Sequence, residues 1–138
     1  MGRTLGVDYG LKRIGLAISD PFGTISLPFA QVETGKSFEA TLKMLRERAD
    51  GYEVHRVVIG LPHKLGGGEG TLSPQITAFA DYLREHSGWQ VELFDERLSS
   101  LQADRALKEA NLNRRKRTEK LDMVAATYIL QAFLDSRR

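Results

Sequence analysis

Hydrophobic residues along this chain fall into short runs and helically spaced groups that follow one another in a regular order. Runs rich in Val, Ile and Leu, bounded by Gly, Pro and polar residues, are typical of strands. The first two runs are separated by a turn through Tyr9, Gly10 and Leu11, which predicts a hairpin. Five segments are predicted as strands: Leu5–Asp8, Arg13–Ser19, a stretch around Ile25–Val32, Val54–Ile59 and Gln90–Asp95.

Two helices are predicted between these strands. Ser73 followed by Pro74 predicts the start of one helix, and Gly88 ends its apolar pattern. Ser37 can cap the other, which ends near Gly51 and whose apolar face is formed by Phe38, Leu42, Leu45 and Ala49. A hairpin meander followed by strands that alternate with helices predicts an α/β fold, with a mixed sheet covered by helices on both faces.

The carboxyl-terminal third predicts two more helices separated by a polar break. Ser99 and Gln102 have the spacing of a capping box for a helix through about Ala110. Asn111–Arg117 is then predicted to be the break, and a last helix follows to the end of the chain. The apolar stripe predicted for this last helix consists of Leu121, Val124, Ala125, Tyr128, Ile129, Ala132 and Phe133.

Asp122 lies at the edge of that predicted stripe. Its neighbours one and two turns further on are Ala125, Ala126 and Ile129, so its carboxylate is expected to point partly toward the sheet. Burial of a carboxylate costs several kcal/mol unless it is compensated. A bound cation or a basic partner would compensate it; a favourable place in the helix dipole is the alternative explanation.

Length and composition restrict the class of protein. The chain has 138 residues, of which 41% are hydrophobic and 28% charged, and this fits a single globular domain spanning residues 1–138. There is no cysteine, which excludes thiolate nucleophiles, thiolate zinc sites and disulfides.

Positive charge is concentrated in one segment. Arg105–Lys120 contains seven Lys or Arg against two Glu, a net charge of +5, whereas the whole chain carries +2. Such a cluster can meet a polyanion such as nucleic acid, or it can be a solvated surface.

The chain lacks the pattern of a secretory or membrane protein. Met1–Gly10 has one early Arg and no sustained apolar stretch, unlike a secretory signal. The most apolar window, Met123–Leu134, has twelve residues, against the ~20 that a membrane span needs. We therefore expect a cytoplasmic protein with no membrane partner.

Acidic residues occur where two predicted strands end. Asp8 ends the first strand, and Asp95 and Glu96 close the strand that begins at Gln90. Ligands commonly bind at strand ends in α/β sheets, although an Asp there can also simply hydrogen-bond its own turn. Alternation sends Asp95 and Glu96 to opposite faces, so only one of them is expected to join a site with Asp8 and Asp122.

Three carboxylates from two strand ends and a helix start are a donor set suited to Mg²⁺ or Mn²⁺. The reaction predicted for such a set is phosphodiester hydrolysis. Two ions ~3.5–4 Å apart can activate a water and stabilise the leaving oxygen, which removes the need for a Ser, Cys or His nucleophile.

Four ordered motifs in this chain resemble the YqgF/RuvX family of the RNase H-like superfamily, whose members are described as Holliday junction resolvases and as pre-16S rRNA nucleases. The resemblance covers nearly the whole chain. The motifs are Asp8-Tyr9-Gly10 with Lys12-Arg13-Ile14-Gly15 and Ser19-Asp20; Val58-Ile59-Gly60-Leu61-Pro62; Asp95-Glu96-Arg97-Leu98-Ser99; and Asp122 with Ala125-Ala126 and Ile129-Leu130-Gln131.

The resemblance implies an RNase H-like fold and a set of metal-binding acids. Its sheet has five strands, the first three antiparallel and the last two parallel to the first. The acids are Asp8, Glu96 and Asp122, and Asp95 is the less favoured occupant of the second position. The resemblance also favours processing of the 5′ end of the 16S rRNA precursor over resolution of branched DNA, in a monomer or homodimer that also meets the ribosomal particle.

Basic residues that flank these acids in the sequence are candidate phosphate contacts. Each can instead serve solubility alone, but Arg13 and Arg97 adjoin acidic motifs, which favours phosphate contact. The candidates are Lys12, Arg13, Arg97, Arg114, Arg115, Lys116 and Arg117.

Two other classes of function remain open from the sequence. A phosphate-binding ATPase can begin with a similar strand, Asp and turn, but such enzymes need a second lobe that this length does not provide. A non-catalytic RNA-binding assembly factor could keep the fold, and the acids would then be dispensable.

Overall fold

The computed structural model describes residues 2–61, 72–95 and 114–137, and for residues 114–122 it describes the helix backbone alone. These parts contain five strands and three helices. The strands are β1 (Arg3–Tyr9), β2 (Arg13–Ser19), β3 (Ser26–Glu33), β4 (Val54–Leu61) and β5 (Gln90–Asp95). The helices are α1 (Phe38–Ala49), α2 (Ser73–His86) and α3 (Arg114–Ser136).

All five strands form one mixed sheet in the order β3-β2-β1-β4-β5. The β1–β2 and β2–β3 pairs are antiparallel, whereas the β1–β4 and β4–β5 pairs are parallel. β1 is therefore the central strand, with an antiparallel neighbour on one side and a parallel neighbour on the other. This topology confirms the predicted sheet.

One face of the sheet packs against α1 and α2 in the larger part of the core. The alternating apolar residues of β1 that face these helices are Leu5, Val7 and Tyr9. Leu45 of α1 and Phe79 of α2 are fully buried against them. Successive side chains of a strand alternate between the two faces of the sheet. Because these residues of β1 are buried against α1 and α2, the residues between them point to the opposite face.

The opposite face packs against α3 alone among the helices that the structure describes. Ala17 of β2 and Val58 of β4 contribute the sheet side of this second cluster. The helix side consists of Ala126, Ile129, Leu130, Phe133 and Leu134. Helices thus cover both faces, as predicted.

Local signals set the starts of α1 and α2. The Ser37 hydroxyl accepts the backbone N–H of Ala40 at 3.1 Å, so Ser37 is the predicted cap. α2 begins at Ser73, with Pro74 in its first turn, where a missing N–H costs nothing. After it, Gly88 adopts a φ of +80°, which explains why the helix pattern ends there.

α3 corrects two predictions. Its described part runs from Arg114, so residues 114–117 of the predicted polar break are helical. Arg and Lys are good helix formers and the segment lacks Gly and Pro, so a run of charge alone does not end a helix. The predicted helix from Ser99 to Ala110 lies outside the described residues.

The buried stripe of α3 is also rotated from the predicted one. Ile129 and Phe133 are buried as predicted, but Ala126, Leu130 and Leu134 are buried with them. The predicted stripe residues Val124, Ala125, Tyr128 and Ala132 are only half-buried. The shape of the sheet surface under the helix, described below, explains this rotation.

None of the helices in the described parts of the chain is long and apolar enough to cross a membrane.

Candidate active site

Asp8 lies near the carboxyl end of β1, on the face of the sheet that α3 covers. Leu5, Val7 and Tyr9 belong to the α1–α2 face, so the alternate residues Gly6 and Asp8 point to the α3 face. The Asp8 side chain is half-buried there and has interactions of its own. β1 thus places one carboxylate at the edge of the second cluster, which α3 forms with the sheet.

The residues beside Asp8 on the two neighbouring strands are glycines. Gly15 of β2 is the cross-strand partner of Asp8. On β4, Val7 pairs with Ile59, and the next step of this parallel register brings Gly60 level with Asp8. Because a glycine has no side chain, neither neighbouring strand places a side chain directly beside Asp8 on this face.

α3 comes closest to the sheet at Gly6, two residues before Asp8. A Cβ atom at Gly6 would lie 2.8 Å from the Cβ of Leu130 and 3.1 Å from the carbonyl oxygen of Ala126. Nearer the start of β1, Thr4 and Leu134 of α3 line a cavity together. α3 therefore runs in the opposite direction to β1, and its earlier turns lie toward the Asp8 end of the strand.

Position 122 falls on the helix row that faces this end. It precedes Ala126 by four residues and Ile129 by seven, and both of these are fully buried against the sheet. Two strand residues advance about 6.6 Å and four helix residues about 6 Å, so the step from Gly6 to Asp8 matches one turn back along α3. The backbone thus places position 122 on the side of α3 that faces the sheet, at the Asp8 end of β1.

The predicted second acid was either Asp95 or Glu96. Asp95 ends β5 in phase with Val91 and Leu93, which pack against the α1–α2 core. It therefore lies on the face opposite to Asp8. Glu96 and Arg97 lie outside the described residues.

Lys12 and Arg13 lie at the tip of the β1–β2 hairpin, close in sequence to Asp8, and both are exposed. Thr34 fixes this tip from the end of β3: its hydroxyl donates to the Gly10 carbonyl at 2.6 Å, and its N–H donates to the Lys12 carbonyl at 3.0 Å. The sequence analysis did not identify this role of Thr34. Lys12 and Arg13 therefore lie on a turn that Thr34 holds in place, close in sequence to Asp8.

The four-residue run Arg114–Arg117 forms the first turn of α3. Its backbone lies two turns before position 122, at the same end of the helix, and the structure describes no side chain in this run. Four cations at a helix amino terminus oppose the helix dipole, which favours an anion near them.

Within the described side chains no three acidic or histidine residues come together as a metal site, and of the three predicted ligands those side chains include only Asp8. Asp8 nevertheless suits a hard cation, because it offers carboxylate oxygens on a strand row flanked by glycines.

Gly6, Gly15 and Gly60 shape this site, and the sequence analysis assigned them no role. The signal that could have found them is the alternation of β1, which puts Gly6 and Asp8 on one face. Small residues on that face let α3 approach closely, and this explains the rotation of its buried stripe.

The sheet order, the antiparallel hairpin and an Asp on the central strand under a long final helix define an RNase H-like fold. Two solved structures share it with TM-scores of 0.58: the fowlpox virus Holliday junction resolvase and T. thermophilus RuvC in complex with a Holliday junction substrate. The first is 13% identical and covers 99% of both chains, and the second is 15% identical and covers 99% of this chain and 96% of its own. At these identities the likeness is one of fold.

Closer similarity defines the family. The model of the family described as RuvX, Holliday junction resolvase, matches residues 2–136. A relative from Clostridium botulinum is 42% identical over 97% of both chains, and one from Protochlamydia amoebophila is 40% identical over 98% of this chain and 94% of its own. Both relatives bear the name "Putative pre-16S rRNA nuclease". The chain belongs to the RuvX family, and this confirms the predicted nuclease class and a nucleic-acid substrate.

Proposed function

We propose that this protein is a divalent-metal-dependent nuclease that processes the 5′ end of the 16S rRNA precursor during ribosome biogenesis. The observation that carries the proposal is the placement of Asp8 on the α3 face, level with the row of α3 that contains position 122. The names of the 40–42% identical relatives support the rRNA substrate.

Asp8, Glu96 and Asp122 are the proposed catalytic and metal-binding residues. Asp8 and position 122 come from elements that pack on each other, so their separation is set by the contact at Gly6. Asp95 is on the opposite face of the sheet, which favours its neighbour Glu96 as the second acid. The whole of residues 1–138 is proposed to form one nuclease domain.

Mg²⁺ or Mn²⁺ is the proposed cofactor, because carboxylate oxygens are the ligands that these hard cations prefer. When bound as a pair, such ions supply an activated water and stabilise the leaving oxygen. The residues of this chain provide the negative charge that holds them, and the bare glycine positions beside Asp8 leave room for a scissile phosphate.

The proposed nucleic-acid contacts are cations around the acids. Lys12 and Arg13 on the braced hairpin tip would hold phosphates beside the scissile bond, since both are exposed. The same role is proposed for Arg97, Arg114, Arg115, Lys116 and Arg117. The protein would work in the cytoplasm, as a monomer or homodimer, on RNA or on a ribosomal particle.

Resolution of four-way DNA junctions is the second candidate. The description of the matching family and the fold likeness to a RuvC bound to a Holliday junction favour it. It uses the same acids, so the two candidates differ in their substrate: an RNA precursor or branched DNA. Paired symmetric cuts would require two active sites and hence a dimer.

Cleavage of a 5′-extended 16S precursor and of a four-way DNA junction, each with Mg²⁺ or Mn²⁺, tests the proposal. We expect RNA cleavage by the wild type and losses of at least about a hundredfold in Asp8→Asn and Asp122→Asn, because metal charge stabilisation amounts to several kcal/mol. Asp50→Asn is the matched control, since Asp50 is an exposed residue after α1.

Three results would redirect the proposal. Paired cuts in the junction with intact RNA would identify a resolvase instead. Equal RNA processing by folded Asp8→Asn and wild type would identify a non-catalytic binding factor. Metal-independent cleavage would remove the cofactor from the proposal.

A further inference from the structure

A cavity of about 540 Å³ opens at the end of the sheet opposite to Asp8. Gly2 and Thr4 at the start of β1 line it, together with the turn between β2 and β3 and the end of α3. Thr4 and Asp8 are four residues apart on one strand, which separates them by about 13 Å. The cavity is therefore a site distinct from the candidate active site.

Two arginines line this cavity and lie against the same aromatic ring. The Cζ atoms of Arg56 and Arg137 are 5.7 and 5.1 Å from the centre of the Phe133 ring. Because both distances end at the same ring centre, the separation of the two Cζ atoms is at most the sum of these distances. Each gains from the ring as a cation–π contact, but the two charges repel each other.

The partners of these arginines leave a net positive charge. Arg56 donates from Nε and Nη2 to Oε1 of Gln90, at 3.4 and 3.3 Å, and this acceptor is a neutral amide. Arg137 Nη1 lies 3.7 Å from Oε1 of Glu92. Arg137 thus has a carboxylate at ion-pair distance, whereas the contact of Arg56 with Gln90 orients its guanidinium group without compensating its charge.

The described residues that line the cavity include no acidic side chain. Asp20 lies next to the lining residue Pro21, but its carboxylate is turned into its own loop. Its Oδ1 accepts the N–H groups of Thr24 at 2.7 Å and Ile25 at 3.0 Å. The Asp20 carboxylate is therefore engaged by its own loop, and the charged side chains among the described lining residues are those of the two arginines.

Phe22 adds an aromatic surface to the same cavity. Its side chain is 74% exposed, the highest fraction among the large hydrophobic residues that the structure describes as exposed. An exposed ring beside guanidinium groups is the combination that binds nucleotides, because the ring stacks on a base while the cations hold a phosphate. The volume is also within the range of small-molecule sites.

We propose that this cavity binds one nucleotide unit, with its phosphate on Arg56 and Arg137 and its base against Phe22. The unit can come from a free nucleotide or from a nucleic-acid strand. A nucleic-acid strand as the source of this unit rests on the proposed nuclease function, whereas binding of the unit does not require cleavage. Position 122 and Arg137 are about 22 Å apart along α3, so a strand that reached both sites would follow this helix.

The test measures binding by the full chain in EDTA, where metal-dependent cleavage is absent. Three probes are titrated separately: AMP, inorganic phosphate and a six-nucleotide RNA. The readout is the amide NMR shifts of Gly2, Thr4, Gly23 and Thr24, which line the cavity. Saturation by AMP would identify a free nucleotide as the source, and saturation by the RNA alone would identify a strand.

Matched variants separate the cavity from general surface charge. We expect Arg137→Gln and Phe22→Ala each to weaken binding about tenfold, since each removes one principal contact. Arg48→Gln on the exposed face of α1 and Leu27→Ala on β3 make the same types of change outside the cavity and should leave binding unchanged. Phe22 is so exposed that its removal should not affect folding.

Either of two results overturns the proposal. One is the lack of any shift at these amides with all three probes. The other is binding that survives both Phe22→Ala and Arg137→Gln. Because cleavage is not measured here, a failure of the rRNA assay leaves the amide shifts intact, and the two proposals fail separately.

Discussion

Gly6 controls the distance between α3 and the strand that carries Asp8. We expect Gly6→Ala to lower the free energy of unfolding by about 1–3 kcal/mol, the usual cost of overpacking. The new Cβ would meet the Leu130 Cβ and the Ala126 carbonyl oxygen, and rotation of a side chain moves neither of these atoms away. Urea unfolding measures the loss, and an unchanged midpoint would contradict the close approach.

Asp20 stabilises the turn between β2 and β3 in a pH-dependent way. Hydrogen bonds from the backbone N–H groups of Ile25 and Thr24 lower the pKa of Asp20 below its ordinary value of 3.8. A carboxyl group whose pKa is lower in the folded state stabilises the fold above its unfolded pKa, and loses this effect as pH falls through the folded value.

The Asp20→Asn variant should therefore be less stable than the wild type near neutral pH, and this difference should shrink below pH 3.8. Urea unfolding of both proteins over a series of pH values measures it. Asp50→Asn, an exposed residue after α1, is the control for general charge effects. A difference that stays constant from neutral to acidic pH would refute the role of this carboxylate.

Among the elements, α3 is hydrogen-bonded to the start of the edge strand β3 and to the turn before it by the side chain of Gln131. Gln131 accepts the N–H of Ser26 through Oε1 at 2.9 Å and donates from Nε2 to the Thr24 carbonyl at 3.1 Å. We expect Gln131→Ala to cost about 1–3 kcal/mol, because it leaves a partly buried N–H without its acceptor.

The Gln131→Glu variant gives a graded comparison, since it keeps the acceptor for Ser26 and loses the donor to Thr24. It also turns the 3.1 Å hydrogen bond from Gln131 Nε2 to Asp135 Oδ1 into a contact between two carboxylates, so the comparison is made at the Ser26 amide and not on total stability. Hydrogen exchange at the Ser26 amide should rise strongly in the alanine variant and only slightly in the glutamate variant. Equal exchange in both variants would show that this contact does not hold β3 to α3.

At the scale of the whole molecule, charge placement predicts how salt affects nucleic-acid binding. Replacement of Lys12 and Arg13 by Gln should reduce the slope of log affinity against log salt by about 1–2, because each phosphate contact releases one counterion. Lys43 and Arg48, which are exposed on α1, provide a control pair with the same charge change. Fluorescence anisotropy of a labelled precursor RNA at several salt concentrations measures the slopes, and equal slopes for both pairs would contradict the proposed contacts.

Local pattern was sufficient to predict the strands and the first two helices. The predicted strand Leu5–Asp8 is part of β1, which extends over Arg3–Tyr9. The extra residues are Arg3, Thr4 and Tyr9, and each joins the sheet because a neighbouring strand offers it a partner: Val54 and Arg56 of β4 for the first two, and Ile14 of β2 for Tyr9. Strand ends thus depend on pairing between distant segments, and the periodicity of one segment carries no information about that pairing.

The orientation of α3 and the composition of the site were harder to predict for the same reason. Asp8 could be placed at a strand end from sequence, because a turn follows it directly. The rotation of α3 depends on Gly6, Ala17 and Val58, which come from three different strands and form a shallow surface only after the sheet has assembled. For this reason the buried stripe of α3 was predicted around Val124, Ala125, Tyr128 and Ala132, whereas Ala126, Leu130 and Leu134 are the residues buried with Ile129 and Phe133.

The packing of α3 onto β1 joins a late part of the chain to an early one. During synthesis the strands leave the ribosome before α3, so the sheet face with Gly6, Ala17 and Val58 is complete before the helix that packs on it has emerged. Contacts between such distant segments form late in folding, because a long loop must close first. A partly synthesised chain would therefore hold Asp8 on β1 without the helix that faces it.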